Sequence, residues 1–127
     1  VPERDGILSA LYLVEFVATS GKRFSELLTE LYNVVGPHFY SRFDIPLTNT
    51  EIDRIKSLVP TDILTEESPI PIRQVNTTDG VKLIGEEGWV AYRLSGTEPL
   101  LRIYSEASTQ EIVDVLIKYV RSFLGVS

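Results

Sequence analysis

The 127-residue sequence contains no cysteine and no methionine. The first absence excludes disulfides, zinc-thiolate sites and cysteine nucleophiles together. The second, with a chain that starts at Val1, points to a processed or excised piece of something longer. No apolar run approaches the about 20 residues that cross a bilayer, and Val1 to Gly6 lacks the basic and apolar regions of a signal peptide. Positive charge is scarce as well: 12 Lys and Arg stand against 18 Asp and Glu, a formal charge of −6. That is the wrong sign for a general nucleic-acid or anionic-membrane binder, so any anion site must be local. The composition reads as a soluble, cytoplasmic protein of one domain, or one domain with an appendage.

What is present is ordered by periodicity. Ile7, Leu8, Leu11, Val14, Val17 and Ala18 recur at helical spacing and stop at Gly21, which predicts a helix over residues 5–20. Ser25 reads as the N-cap of a second helix whose stripe of Leu27, Leu28, Leu31, Val34 and Val35 ends at Gly36 and Pro37. Their apolar width exceeds what one helical hairpin can bury, so residues 1–37 read as the end of a larger unit. A strand follows over 39–47, then a capping box of Thr48 and Glu51, a helix stopped by Pro60, and a polar connection over 61–71. Four strands are expected at 70–77, 81–85, 89–95 and 100–106, with Asp79-Gly80, Glu87-Gly88 and 95–99 as their turns. A capping box at Ser108 and Glu111 opens a last helix, broadly apolar from Ile112 to Leu124 and stopped by Gly125. The order over residues 38–127 is β-α-β-β-β-β-α, an α+β domain with a meandering antiparallel sheet and its helices on one face.

The third turn carries the chemistry. If Ser95 faces Leu100, then Arg93 faces Arg102, and like charges placed opposite each other disfavour strand pairing. An anion between them removes the conflict. Ser95 and Thr97 supply hydroxyls, Gly96 permits close approach to the backbone, and turn amides can form an anion-binding concavity. Glu98 points outward, pairs with an arginine in the empty state, or bonds a sugar hydroxyl. The competing reading makes both arginines solvated strand residues near Glu86, Glu87, Glu98 or Glu106, and a one-residue shift in register would put them on opposite faces.

Residues 93–106, RLSGTEPLLRIYSE, resemble the phosphate-binding loop in the last domain of the α-D-phosphohexomutases, the phosphoglucomutase/phosphomannomutase family. Asp5-Gly6-Ile7, Gly21-Lys22 and residues 25–28, SELL, are similar to the helices that close the third domain of that family. The resemblance implies a TATA-box-binding-protein-like β-α-β4-α fold for residues 38–127. It also implies an isomerase, an intramolecular phosphotransferase of carbohydrate metabolism that interconverts hexose 1-phosphate and hexose 6-phosphate. Carried over by position, Arg93, Ser95, Gly96, Thr97 and Arg102 would hold the substrate phosphate that is not being transferred. The domain would close as a lid about the joint at Pro37. The family's phosphoserine, its Asp-rich Mg2+ loop and its sugar-binding loop have no counterpart in this sequence. The implied reading is an excised C-terminal fragment without catalytic residues, metal site or cofactor of its own, inactive alone. Mg2+ and a hexose 1,6-bisphosphate activator belong to the whole enzyme, and the implied partners are a hexose phosphate and the remaining domains.

Other features read as structural. His38 is taken as a strand-edge residue, Trp89 and Tyr104 as packing residues, and Glu66, Glu67, Glu86 and Glu87 as solvated charge. The rival to the resemblance is a stand-alone α+β module that binds a protein partner through its sheet. A nucleic-acid role is disfavoured by the charge.

Overall fold

The computed structural model describes residues 5–65 and 67–126. Glu66, Ser127 and the first four residues lie outside them. The chain divides after Pro37 into two compact units.

The first unit is a helical hairpin. Helix α1 (Gly6–Ser20) is capped by Asp5, whose Oδ1 accepts from the amides of Ile7 and Leu8 at 3.0 Å, and ends at Gly21 in the left-handed region. Helix α2 (Phe24–Val35) starts two residues earlier than a Ser25 cap requires. The Glu26 carboxylate accepts the Arg23 amide at 2.7 Å and so closes the N-terminus from inside the first turn, which leaves Ser25 within the helix. Neither helix has a buried residue, and Leu11, Val14, Phe16, Leu31 and Val34 are all exposed.

The second unit is a five-stranded antiparallel sheet with helices over one face. Strands β1 (Phe39–Pro46), β2 (Ile72–Asn76), β3 (Val81–Gly85), β4 (Gly88–Leu94) and β5 (Leu100–Ala107) lie in the order β1-β5-β4-β3-β2. The last four strands form the expected meander because each is joined to the next by a short turn. Strand β1 is carried to the far side, where it pairs with β5 from Phe39 opposite Ala107 to Pro46 opposite Leu100.

Helix α3 (Asn49–Ser57) opens on the expected box, with Thr48 N–H donating to Glu51 at 2.7 Å. It stops before Pro60, and the chain restarts there as a 3-10 helix (Pro60–Thr65) within the stretch expected to be irregular. Proline suits a first helical position because no donor is needed there. This short helix buries Ile63, whose carbonyl accepts the Tyr119 hydroxyl. Helix α4 (Gln110–Leu124) is capped by Thr109, whose hydroxyl accepts from Ile112 N–H at 3.3 Å, one residue beyond the expected Ser108.

Alternation along β5 decides the two faces. Leu101, Ile103, Ser105 and Ala107 are buried while Arg102, Tyr104 and Glu106 are partly exposed. The buried set joins Val90, Tyr92, Val81 and Leu83 of the sheet with Val113, Leu116, Ile117, Val120 and Leu124 of α4 in one core. Arg54 of α3 donates to the Gly125 carbonyl at 3.2 Å, which ties α3 to the end of α4. The opposite face carries Arg93, Arg102, Tyr104 and Glu106, away from α4. Leu101 is fully buried. Leu101→Ala is therefore expected to lower the unfolding free energy by about 3 kcal/mol. A urea melt that shows an unchanged midpoint would remove Leu101 from the core.

Candidate phosphate site

The register places Arg93 of β4 opposite Arg102 of β5. The Ser95 amide donates to the Leu100 carbonyl at 2.8 Å, which closes the hairpin around residues 96–99. The same loop is held from a second side, since Leu47 N–H donates to the Pro99 carbonyl at 2.9 Å where β1 leads into α3. The loop tip is thus fixed at its base and exposed at its end. Among the described residues, the amides of Gly96, Thr97 and Glu98 and the hydroxyls of Ser95 and Thr97 find no acceptor or donor within the protein. Five polar groups without a partner in the protein thus lie on a loop that is exposed at Gly96, Thr97 and Glu98.

Each arginine has a carboxylate partner. Arg93 Nη1 donates to Asp79 Oδ2 at 2.6 Å, and Arg102 Nη2 donates to Glu98 Oε2 at 3.3 Å. A third arginine completes the patch. Arg42 of β1 grips Asp44 side-on, Nε to Oδ1 at 2.8 Å and Nη2 to Oδ2 at 2.6 Å, while Asp44 Oδ2 lies 4.0 Å from Arg102 Nε. Arg102 Nε is buried and has no acceptor within hydrogen-bonding distance. The Arg42 guanidinium also lies 5.6 Å from the centroid of the Tyr104 ring. Hydrogen bonding to Tyr104, and then the charge of Asp79, raise the pKa of Arg93. The patch is an open surface of three arginines and three carboxylates, formally neutral in itself.

All five expected residues, Arg93, Ser95, Gly96, Thr97 and Arg102, thus lie on one hairpin, with the two arginines on the same face. Of the three roles open to Glu98, the structure shows the ion pair. The sequence reading missed Asp79, Asp44 and Arg42. Asp79 had a local signal: β3 pairs Val81 with Tyr92, so the turn before Val81 must lie beside Arg93. Arg42 and Asp44 had none, because β1 reaches β5 by a non-local pairing. Away from the loop, His38 Nδ1 lies 2.9 Å from Glu106, Lys82 sits 3.7 Å over the Trp89 ring, and Glu86 pairs with Arg73. An open groove of about 380 Å³ between β1 and α4, lined by Phe43, Ile117 and Arg121, is on the helix side of the sheet. It shares no residue with the arginine patch.

Two glycines differ in what the fold asks of them. Gly80 has φ +79, and a Cβ there would meet the Tyr92 carbonyl and lie 2.6 Å from Arg93 Cβ. Only glycine lets the Asp79 turn lie against β4. Gly96 has no positive φ, and a Cβ there would meet nothing within 4 Å. The protein's own backbone does not require glycine at position 96, which is what room for an external group predicts.

Against this geometry, the profile of the family described as phosphoglucomutase/phosphomannomutase, C-terminal domain, matches residues 51–122. The chain belongs to that family. A phosphoglucomutase/phosphomannomutase of Thermococcus kodakarensis is 41% identical over 108 residues, covering 85% of this chain and 22% of that protein. A phosphoglucosamine/phosphogalactosamine mutase of Sulfurisphaera tokodaii is 30% identical over 125 residues, 95% of this chain and 25% of that protein. The crystal structure of a Thermus thermophilus protein described as a phosphomannomutase superimposes with a TM-score of 0.67 at 34% identity, over 98% of this chain and 23% of that one. The chain therefore spans about a quarter of the length of these relatives. The α+β architecture expected of the family's last domain agrees with the observed sheet and helices.

Gly96→Ala is expected to leave the unfolding midpoint unchanged or slightly raised, whereas Gly80→Ala should cost about 2 kcal/mol through its left-handed φ and the clash. Equal melts for the two variants would contradict the assignment of their roles. Hydrogen bonds from Arg42 hold the Asp44 carboxyl below its ordinary value of 3.8. A depressed folded pKa contributes stability that is present above the unfolded value and lost as pH falls through the folded one. Carboxyl-carbon NMR titration should show Asp44 ionising below 3.8 and moving upward in Arg42→Ala.

Proposed function

We propose that this chain is the substrate-phosphate-binding C-terminal portion of a phosphohexomutase, an isomerase that interconverts hexose 1-phosphate and hexose 6-phosphate. The observation that carries the reading is the pairing of Arg93 with Arg102 beside a fixed loop whose amides and hydroxyls have no partner within the described residues. Arg93, Ser95, Gly96, Thr97 and Arg102 would together hold the phosphate that is not in transfer. Each charge-assisted hydrogen bond contributes about 1.5 to 3 kcal/mol, so three or four make a real site.

The role of these residues is positioning. A remote phosphate, once gripped, orients the sugar hydroxyl toward a phosphoryl donor held elsewhere, and its binding energy is used in the chemical step. Because the grip is on phosphate, it can serve glucose, mannose and glucosamine phosphates alike. The chain contributes no catalytic residue on this reading and is inactive alone. On this reading the Mg2+ of the family belongs to another domain of the whole enzyme, and no step here runs through it.

Residues 1–37 are read as the terminal helices of the preceding domain and 38–127 as the last domain. Support comes from α1, which is apolar around most of its surface and has no buried residue, as a helix that another layer covers in the whole protein would be. Gly36, at φ +84, and Pro37 then form the joint about which the last domain closes over substrate. The implied partners are a hexose phosphate and the other domains of the same enzyme. A cytoplasmic location fits a sugar-phosphate substrate, and no helix of the described residues is long and apolar enough to cross a membrane.

The test is an amide-resolved NMR titration of the chain with glucose 6-phosphate, glucose 1-phosphate and glucose at fixed ionic strength. Saturable shifts confined to residues 93–102 are expected with either phosphate and not with glucose. Arg93→Ala should weaken binding at least about tenfold, some 1.4 kcal/mol, while the fold persists. An affinity unchanged in that variant would remove Arg93 from the site.

A further inference from the structure

The phosphate reading leaves one feature unexplained: both arginines are already paired. In each pair the carboxylate is the more exposed member, with side-chain exposures of 76% for Asp79 against 38% for Arg93 and 57% for Glu98 against 22% for Arg102. Both carboxylates also come from turns, Asp79 from the β2–β3 connection and Glu98 from the β4–β5 loop. Guanidiniums on strands are thus capped from the solvent side by carboxylates on turns.

The placement of Asp79 is built into the fold. Gly80 packs so closely on Tyr92 and Arg93 that a single methyl group would not fit, which holds the Asp79 turn against the strand that carries Arg93. As a source of stability the pair is a poor reason for that packing, since exposed ion pairs contribute about 0 to 1 kcal/mol. As a source of charge it matters more: it brings the patch to formal neutrality and lets Arg93 lie opposite Arg102 with no anion bound.

We propose that Asp79 and Glu98 are resident counterions that an incoming phosphate displaces from Arg93 and Arg102, so that ligand binding at this loop is an exchange of anions. This rests on the phosphate reading above. Asp79 and Glu98 therefore lower the affinity of the site while permitting the empty hairpin to close. The exchange also makes the site selective for charge: a neutral sugar gives the arginines nothing in return for their carboxylates, and a phosphate dianion does.

The experiment compares the 127-residue chain with Asp79→Asn, Glu98→Gln, the double variant and Arg93→Ala, titrated with inorganic phosphate and with glucose 6-phosphate at low and high salt. Each single amide variant is expected to bind both ligands about threefold more tightly, the worth of an exposed ion pair, with the double variant tighter still. The gain should shrink at high salt, where exposed charges are screened. A structural role cannot produce this result, because damage to the hairpin weakens binding. Unchanged or weaker binding in both amide variants, with Arg93→Ala also weaker, would sink the exchange and leave the phosphate site standing. Binding that ignores Arg93→Ala, or no binding at residues 93–102 in any form of the chain, would overturn both readings.

Discussion

Two guanidiniums opposite one another on neighbouring antiparallel strands are the constraint around which this molecule is arranged. Like charges in that position work against the pairing that makes the sheet. The β4–β5 ladder is nonetheless central, flanked by β1 on one side and β3 on the other, so the conflict is not confined to an edge that can fray. It is met by carboxylates from three separate places: Asp44 from β1, Asp79 from the β2–β3 turn and Glu98 from the loop itself. The strand order follows the same logic, because β1 reaches Arg102 only by lying next to β5.

The two faces of the sheet divide the work. On one, Leu101, Ile103 and Val90 are fully buried against Val113, Leu116 and Val120 of α4, and this core fixes the strands and hence the register. A slip of one residue would turn the whole apolar set outward, so the core is what guarantees that Arg93 meets Arg102. The other face carries the ionic patch. The apolar core and the ionic patch are thus kept on opposite sides of a single layer of backbone, and the arginines are partly exposed because their strand neighbours are buried.

Much of this was legible because it is local. Asp79-Gly80, Glu87-Gly88 and the 95–99 turn mark three consecutive hairpins, and once β4 and β5 are joined by a turn of that length the opposition of residues 93 and 102 follows by counting. Helix α4 was legible from its wide apolar stripe. The cap residues were less so: Ser25 and Ser108 satisfy the residue preference, but Glu26 and Thr109 make the hydrogen bonds that decide where the helices start. The ionic partners were legible only where they lie near in sequence. Glu98 is four residues from Arg102, whereas Asp44 depends on the placement of β1, which no turn specifies. The family resemblance moved the expectation toward phosphate. From the residues alone ordinary solvated charge was the favoured reading of the two arginines.

The energetics of the patch explain why so many donors are gathered at one loop. Releasing an arginine from an exposed carboxylate costs about 0 to 1 kcal/mol, and each new charge-assisted hydrogen bond returns about 1.5 to 3. One such bond does little more than offset the exchange and the loss of freedom of the bound anion. Several made together shift the balance decisively, provided that the donors are already in place. The backbone bonds from Ser95 to Leu100 and from Leu47 to Pro99 supply that condition by fixing the loop at both sides before any ligand arrives. A ligand with one weakly charged oxygen cannot recruit the whole set, whereas a phosphate can engage two guanidiniums, two hydroxyls and the turn amides at once. On the proposed phosphate reading, selectivity at this hairpin would come from simultaneity, and the strand register imposed by the core on the far face would be what makes the donors simultaneous.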